Sequence, residues 1–360
     1  MYKKCFTPIS ELKLINLKTH RAQLVSLVDV IAMETCEVEN GSPKTPGTFK
    51  EIISTLPTEN GWNVFQHLCF YQGFWCFPLH LEGGMFAQHH FKAQPTDVLL
   101  CSAPKTGTTW LKALSVAIVT RNCVDESNSP LLNKVPHDCI MFLEKDFIEN
   151  PTQTDQGRLP LVATHLPYTA LPKSVLDAGC KLVYICRDPK DAFVSLWHFA
   201  KGIKVNNNPN LPIDVAFQLY CKGRSNFGPY WDHVLGYWKA SQENPEKVLF
   251  MRYEDLLRDT IPQVKKLAEF LGQPFSSKEE KYGAVEKIIR LCSLENLSNL
   301  EVNKTGKYGN ADIGINNNVY FRKGKIGDWK NYLTPEMGEQ LDNVMEERLS
   351  GSGFTFLEPN

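Results

Sequence analysis

Residues 97–110 read Asp97-Val-Leu-Leu-Cys-Ser-Ala-Pro-Lys-Thr-Gly-Thr-Thr-Trp110, and they are the strongest indication of the fold class. Its first half, Asp97–Ala103, is a short apolar run typical of a buried parallel strand. The residues that follow the loop, Leu111–Arg121, place apolar side chains on one face of a helix. A strand, a tight loop and a helix in this order form the first half of a βαβ unit.

The same pattern recurs along the chain. Further short apolar runs predict strands at Leu161–His165, Lys181–Cys186 and Lys247–Arg252. The segments Ala192–Ala200 and Asp259–Leu271 are predicted to be helices. The last third is predicted to be helical over Lys278–Cys292 and Pro335–Leu349. We therefore expect an α/β fold with a central parallel sheet flanked by helices, in which ligands bind outside the carboxyl ends of the strands.

Composition sets limits on the function. The chain has 360 residues, is 42% hydrophobic, and carries 39 basic against 40 acidic side chains. A formal net charge of −1 argues against a general nucleic-acid binder. No apolar run approaches the roughly 18 residues of a membrane span. The 11 cysteines include no CxxC pair, which favours reduced thiols and a cytoplasmic location.

The domain organisation follows from the same patterns. Residues 1–55 are irregular and predict an N-terminal arm, with an organelle transit peptide as the alternative, because acidic residues are scarce at the start of the chain. Residues 56–360 are predicted to form one domain.

The loop after the first strand has the chemistry of an anion site. Lys105, Gly107 and the hydroxyls of Thr106, Thr108 and Thr109 gather at a helix N-terminus, where N–H groups and the helix dipole favour negative charge. The lysine precedes the glycine, which is the reverse of a Walker A loop, and no Walker B strand is evident. The order argues against an ordinary nucleoside triphosphatase.

Three motifs together resemble the cytosolic sulfotransferases. Pro104–Lys112 is similar to the family's 5′-phosphosulfate loop, and Tyr184-Ile-Cys-Arg-Asp-Pro-Lys-Asp191 with Ser195 is similar to its 3′-phosphate motif. Arg322-Lys-Gly-Lys-Ile-Gly-Asp-Trp329 resembles its C-terminal motif. Tyr71-Gln-Gly-Phe-Trp75 looks like plant members of the family, and the resemblance runs from about residue 60 to the end.

The resemblance implies the sulfotransferase fold and a PAPS-dependent enzyme. PAPS is 3′-phosphoadenosine 5′-phosphosulfate, and its product is adenosine 3′,5′-bisphosphate (PAP). The donor would occupy the loop, with Trp110 stacked on adenine and Tyr253 near the adenosine. The 3′-phosphate would bind a second group of residues: Arg187, Ser195, Arg322, Lys323 and Gly324. Guanidinium groups suit this task because they match phosphate bidentately.

The same resemblance implies the catalytic groups. His165 follows a predicted strand, and the family places its general base at the matching histidine. A neutral imidazole suits proton transfer near neutral pH. Lys105 would stabilise charge on the leaving phosphate. No metal is expected, because fixed cations serve instead.

The acceptor remains open at this point. Aromatic residues at Trp62–Phe77, Phe142, Tyr168 and Phe227–Trp231 form either core or an apolar pocket for a flavonoid, phenol, steroid or hydroxylated hormone. The family's dimer motif is altered by Pro335, which favours a monomer. Nucleic acid and membrane are not expected as partners. The alternatives are a silent nucleotide- or hormone-binding scaffold and a P-loop kinase.

Overall fold

The computed structural model describes residues 46–59, 62, 67–124, 126–151, 159–203, 211–309 and 315–356. These residues belong to one compact unit, Pro46–Asn360. Helix α1, Pro46–Thr55, lies within this unit and buries Phe49 in its core. The predicted arm lies mostly outside the described residues, and a domain boundary after residue 55 stays a prediction.

A five-stranded parallel sheet forms the centre of the unit. Its strands are β4 (Val98–Ser102), β5 (Met141–Phe142), β6 (Leu161–Thr164), β7 (Lys181–Cys186) and β8 (Val248–Arg252), in the spatial order β5-β6-β4-β7-β8. Cys101 pairs with Thr164 and with Tyr184. This register aligns the carboxyl ends of β4, β6 and β7 along one edge, so the residues that follow them meet there.

Helices cover both faces of this sheet and extend beyond it. After α1 they are α2 (Pro78–His90), α3 (Thr108–Thr120), α4 (Asp146–Glu149), α5 (Lys173–Asp177), α6 (Pro189–Gly202), α7 (Ile213–Cys221), α8 (Tyr230–Glu243), α9 (Tyr253–Arg258), α10 (Thr260–Phe270), α11 (Ser277–Lys281), α12 (Ala284–Leu291), α13 (Leu294–Asn299), α14 (Glu301–Thr305) and α15 (Pro335–Leu349). The architecture confirms the predicted α/β class.

Two hydrophobic cores lie on opposite faces of the sheet because successive strand residues point to opposite sides. In β4, Leu99 and Cys101 join one core, while Val98 and Leu100 join the other. In β7, Tyr184 belongs to the first core. Burial on both faces explains why these strands read as continuous apolar runs.

The predicted aromatic segment forms a small antiparallel sheet of β1 (Thr58–Glu59), β2 (Leu68–Tyr71) and β3 (Phe74–Cys76). The turn between β2 and β3 consists of Gln72 and Gly73, both with positive φ. Trp62 is buried and donates its indole N–H to the Arg224 carbonyl oxygen, 2.7 Å away. In the described part of this segment, Phe74 and Phe77 are likewise buried in the core, whereas Phe70 is exposed.

One predicted helix is interrupted. The segment predicted as a single helix over Lys278–Cys292 is divided into α11 and α12, because Gly283 adopts φ +72° between them. Pro335–Leu349 is confirmed as α15, with Thr334 accepting a hydrogen bond at its N-terminus. A short two-stranded sheet, β9 (Lys307–Tyr308) with β10 (Ile315–Asn316), completes the secondary structure that we describe.

Among the described helices, none is both long and apolar enough to cross a membrane. The described cysteines are all free thiols.

Candidate anion-binding and catalytic site

The loop between β4 and α3 is built for close approach by a ligand. Gly107 has φ +121°, and a Cβ there would come within 3.0 Å of Ile185 and of Tyr253. Lys105 also has a positive φ, of 69°. The loop thus turns tightly into α3 and directs the helix N-terminus at the sheet edge, where N–H groups and the helix dipole favour an anion.

The threonines of the loop divide by role. Thr108 and Thr109 line the site cavity. Thr106 differs: it is fully buried, and its hydroxyl lies 2.8 Å from the Ala103 carbonyl oxygen and 3.1 Å from that of Ile185. The sequence predicts Thr106 as a residue of the anion site, but in the structure its side chain does not reach the cavity. Its side chain instead ties the loop to the strands.

The Lys105 ammonium lies over aromatic rings. Its Nζ is 4.3 Å from the Phe199 ring centroid and 5.5 Å from that of Tyr320. Burial, followed by the positive charges of Arg187 and Arg322, lowers the pKa of Lys105 to about 7. A bound anion would favour the charged lysine and raise this pKa.

A second cationic group lies at the ends of β7 and the C-terminal motif. Arg187 is buried, stacks on Tyr253 at 4.5 Å and donates to the Lys325 carbonyl oxygen at 2.8 Å. The buried Nε atoms of Arg187 and Arg322 have no hydrogen-bond partner among the described residues. Unsatisfied buried N–H donors are rare, and a phosphate oxygen would satisfy these two.

Asp191 holds the C-terminal motif against α6. Its buried carboxylate accepts hydrogen bonds from the N–H groups of Gly327 (2.7 Å) and Trp329 (2.9 Å) and lies 3.6 Å from Arg187. The Asp191 carboxylate therefore holds both the backbone of the C-terminal motif and the guanidinium of Arg187.

Asp328 organises the two basic residues of the motif. It pairs with Arg322 and with Lys323, the latter at 2.7 Å. Burial acts to raise the pKa of Asp328, but hydrogen bonds from Lys323, Arg322 and Asn331 outweigh it and lower the pKa to about 2. The carboxylate therefore stays charged and holds both cations in place.

The basic side chains of the loop and of both motifs line one cavity of about 190 Å³. Of the predicted site residues, it brings together Lys105, Gly107, Thr108, Thr109, Trp110, His165, Arg187, Ser195, Tyr253, Arg322, Lys323 and Gly324. Trp110 packs edge-on against Tyr253 with ring centroids 5.6 Å apart. The side chain of Thr106 is the exception described above.

The orientation of His165 is set by its hydrogen bonds. Its Nδ1 lies 2.5 Å from the Ser102 carbonyl oxygen, which can only accept, so Nδ1 carries the proton. The remaining Nε2 is then an unprotonated base. Burial lowers the pKa of His165 to about 3, so the free ring is neutral at physiological pH.

The backbone of His165 is also fixed. Its N–H donates to Glu144 Oε1 at 2.6 Å, and its carbonyl oxygen accepts from His233 Nε2 at 2.8 Å. Tyr184 hydrogen-bonds the other ring nitrogen of His233 at 2.9 Å. Burial raises the pKa of Glu144 to about 7, although hydrogen bonds from His165 and Thr164 act against that shift.

Two aromatic rings lie against the His165 ring. The Phe142 centroid is 4.8 Å away, edge-on, and that of Phe227 is 5.5 Å away. Two other aromatic candidates from the sequence pack elsewhere: Tyr168 against Tyr237, and Trp231 beneath Arg348. Only part of the predicted apolar wall is therefore adjacent to the base.

The site residues that sequence reasoning missed include His137, Phe199, Tyr320 and Glu144. Phe199 could have been found, because it lies one helical turn after Ser195 on α6 and so shares its face. His137 and Glu144 come from the region around β5, a strand of two residues that is too short to give a periodic pattern.

Among the described residues, no group of three or more histidine, cysteine or acidic side chains could hold a metal ion. The absence of a metal requirement stays a prediction.

Comparison with known proteins agrees with this geometry. Residues 95–353 match the model of the sulfotransferase domain. The chain is 51% identical to a flavonol sulfotransferase-like protein of Flaveria bidentis over 307 residues, 85% of this chain and 99% of that protein. It is 48% identical to cytosolic sulfotransferase 17 of Arabidopsis thaliana over 335 residues, 91% of this chain and 96% of that protein.

Solved structures give the same result. A putative steroid sulphotransferase of Arabidopsis thaliana superposes with a TM-score of 0.67 at 36% identity, covering 89% of this chain and all of that one. Mouse sulfotransferase SULT7A1 complexed with PAP superposes with a TM-score of 0.60 at 28% identity, covering 79% of this chain and 95% of that one.

Proposed function

The chain belongs to the sulfotransferase family, and from that premise we propose that it transfers the sulfuryl group of PAPS to a hydroxyl of a small aromatic or apolar acceptor, with His165 as general base. Sulfuryl transfer follows from the family. The single observation that carries the finer proposal is that Lys105, Arg187, Arg322 and His165 line one cavity, while Nδ1 of His165 lies against the Ser102 carbonyl oxygen.

The donor site fits a nucleotide with two separate anionic groups. The loop residues Lys105, Thr108 and Thr109 would hold the 5′-phosphosulfate. The unpartnered Nε–H groups of Arg187 and Arg322 would hold the 3′-phosphate. The mouse relative is solved as a complex with PAP, which supports a nucleotide of this kind as the ligand. The bound donor supplies an activated sulfuryl group, attached to phosphate through a bridging oxygen.

The reaction follows from the two catalytic side chains. The acceptor hydroxyl oxygen forms a bond to sulfur, and the bond from sulfur to the bridging phosphate oxygen breaks. His165 Nε2 takes the hydroxyl proton. The Lys105 ammonium stabilises the charge that develops on the leaving phosphate, an interaction that strengthens in the transition state. We expect no metal to be required, because lysine and arginine cations neutralise the donor.

The rings beside the base favour a flat acceptor. Phe142 and Phe227 lie beside the His165 ring, which favours an acceptor that presents an aromatic or apolar surface to them. The similarity to a flavonol sulfotransferase-like protein makes a flavonol the first acceptor to test. Relatives named as cytosolic enzymes agree with the predicted cytoplasmic location.

The test is turnover of the purified protein with PAPS and a panel of flavonols, steroids, hydroxylated hormones and simple phenols. Sulfated product and stoichiometric PAP from the wild type, both lost in His165→Ala, support the proposal. A protein that binds PAP tightly but sulfates no acceptor would instead be a silent scaffold.

A further inference from the structure

His137 lies within the site but has no part in the mechanism above. It precedes β5, is 7% exposed, and lines the same cavity as Lys105 and His165. It also lines a second cavity of about 600 Å³, together with Tyr308. A buried histidine between two cavities requires an account of its hydrogen bonds.

Its contacts fix the ring in one place. Nε2 lies 3.1 Å from the Thr109 hydroxyl oxygen. The ring packs against Tyr320 with centroids 4.2 Å apart and against Tyr308 with centroids 5.5 Å apart. The Tyr308 hydroxyl in turn donates to the Asp146 carboxylate, at 3.2 Å. The imidazole is thus held against the phosphate loop by two anchored aromatic rings.

Counting protons limits what this pair can do. A threonine hydroxyl has one proton to donate, and a neutral imidazole has one N–H. If Nε2 is unprotonated, Thr109 donates to it and cannot donate into the cavity. If Nε2 carries the proton, Thr109 accepts from His137, and its own proton is free for an anion in the cavity. An anionic ligand with acceptor atoms only favours the second arrangement.

We propose that His137 is a positioning residue of the donor site: its Nε2–H holds the Thr109 oxygen, so that the Thr109 proton points at an oxygen of the donor's 5′-phosphosulfate or of the PAP 5′-phosphate. This inference rests on the proposed function. Burial, followed by the charges of Lys112 and Lys105, lowers the pKa of His137 well below its ordinary value, so the ring is neutral and has a single N–H.

Calorimetric binding of PAP tests this without turnover. Thr109→Val removes the donated hydrogen bond, and we expect affinity to fall about tenfold, the size of one hydrogen bond to a charged group. His137→Phe keeps the ring volume but frees the hydroxyl to rotate, and we expect a loss of about three- to tenfold. The double variant should bind PAP about as weakly as Thr109→Val alone, because both changes remove one interaction. His137→Gln carries an amide N–H near the Nε2 position and should recover most of the affinity.

The controls separate this role from simple packing. His67 is exposed, and His67→Phe should bind PAP like the wild type. Thermal unfolding identifies any variant that fails to fold. If His137→Phe does not fold, the comparison of Thr109→Val with His137→Gln still tests the inference. Wild-type affinity in His137→Phe, or additive losses in the double variant, would overturn the inference alone. No PAP binding by the wild type would overturn the proposed function and this inference with it.

Discussion

Lys105 gives a quantitative prediction for donor binding. Burial of its ammonium, followed by the positive charges of Arg187 and Arg322, lowers its pKa to about 7. At about pH 8 roughly 0.9 of the molecules therefore hold a neutral lysine, and at about pH 7 roughly half do. Ligand binding should raise the pKa of Lys105, because a nearby phosphate favours the charged form of the lysine.

Binding of PAP at about pH 8 should then take up roughly 0.9 proton per site. The phosphates of PAP contribute little, because their second pKa is near 6 and they are already ionised. Burial places His165, with a pKa of about 3, outside this range. Burial also brings the pKa values of Glu144 and Lys112 to about 7, so these two groups titrate beside Lys105. Uptake should fall towards roughly 0.1 proton at about pH 6, apart from any proton that the phosphates release there.

Isothermal calorimetry in buffers of different ionisation enthalpy measures this uptake directly. Lys105→Arg is the matched control, because a guanidinium stays charged at these pH values. That variant should bind PAP with clearly less proton uptake than the wild type at about pH 8, because only the contribution of Lys105 is removed. No proton uptake by the wild type at that pH, or equal uptake by Lys105→Arg and the wild type, would show that Lys105 does not gain a proton when PAP binds.

Three further predictions use the same cavity. His165→Ala removes the proton acceptor, so turnover should fall by about 10² to 10⁴. Its PAP affinity, measured by calorimetry, should stay within about threefold of the wild type. An equal loss of turnover and affinity would make His165 a donor-binding residue instead. Asp191→Asn replaces the carboxylate that accepts hydrogen bonds from the N–H groups of Gly327 and Trp329, so PAP affinity should fall about tenfold or more. Unchanged affinity would contradict the role of Asp191 in holding the C-terminal motif. Phe142→Leu removes the ring against His165, so kcat/KM for an aromatic acceptor should fall about two- to tenfold at constant PAP affinity. A loss confined to PAP binding would mean that the acceptor binds elsewhere.

The sequence predicts the central sheet because its strands are buried on both faces. β4, β6, β7 and β8 each appear as an apolar run followed by a polar motif, and the structure has all four as strands. The motif residues meet because parallel strands end at a common edge. Twelve of the thirteen predicted site residues therefore line one cavity, the exception being Thr106.

Other features depend on contacts that no local pattern encodes. β5 has two residues, and the residues near it, Glu144 and His137, reach the site only through tertiary packing. The hydroxyl of Thr106 could equally have faced a ligand, and its direction is set by the Ile185 carbonyl oxygen of a neighbouring strand. The aromatic segment before α2 has a composition typical of a pocket wall, yet the small antiparallel sheet directs much of it into the core.

The most direct test of the central claim is transfer of labelled sulfate from PAPS to a flavonol by the purified protein in excess chelator. We expect sulfated product from the wild type at an unchanged rate with and without chelator, and a rate about 10² to 10⁴ times lower from His165→Ala. Product formation by His165→Ala at the wild-type rate, or a wild-type reaction that stops when metal is removed, would contradict a mechanism based on this histidine and on fixed lysine and arginine cations.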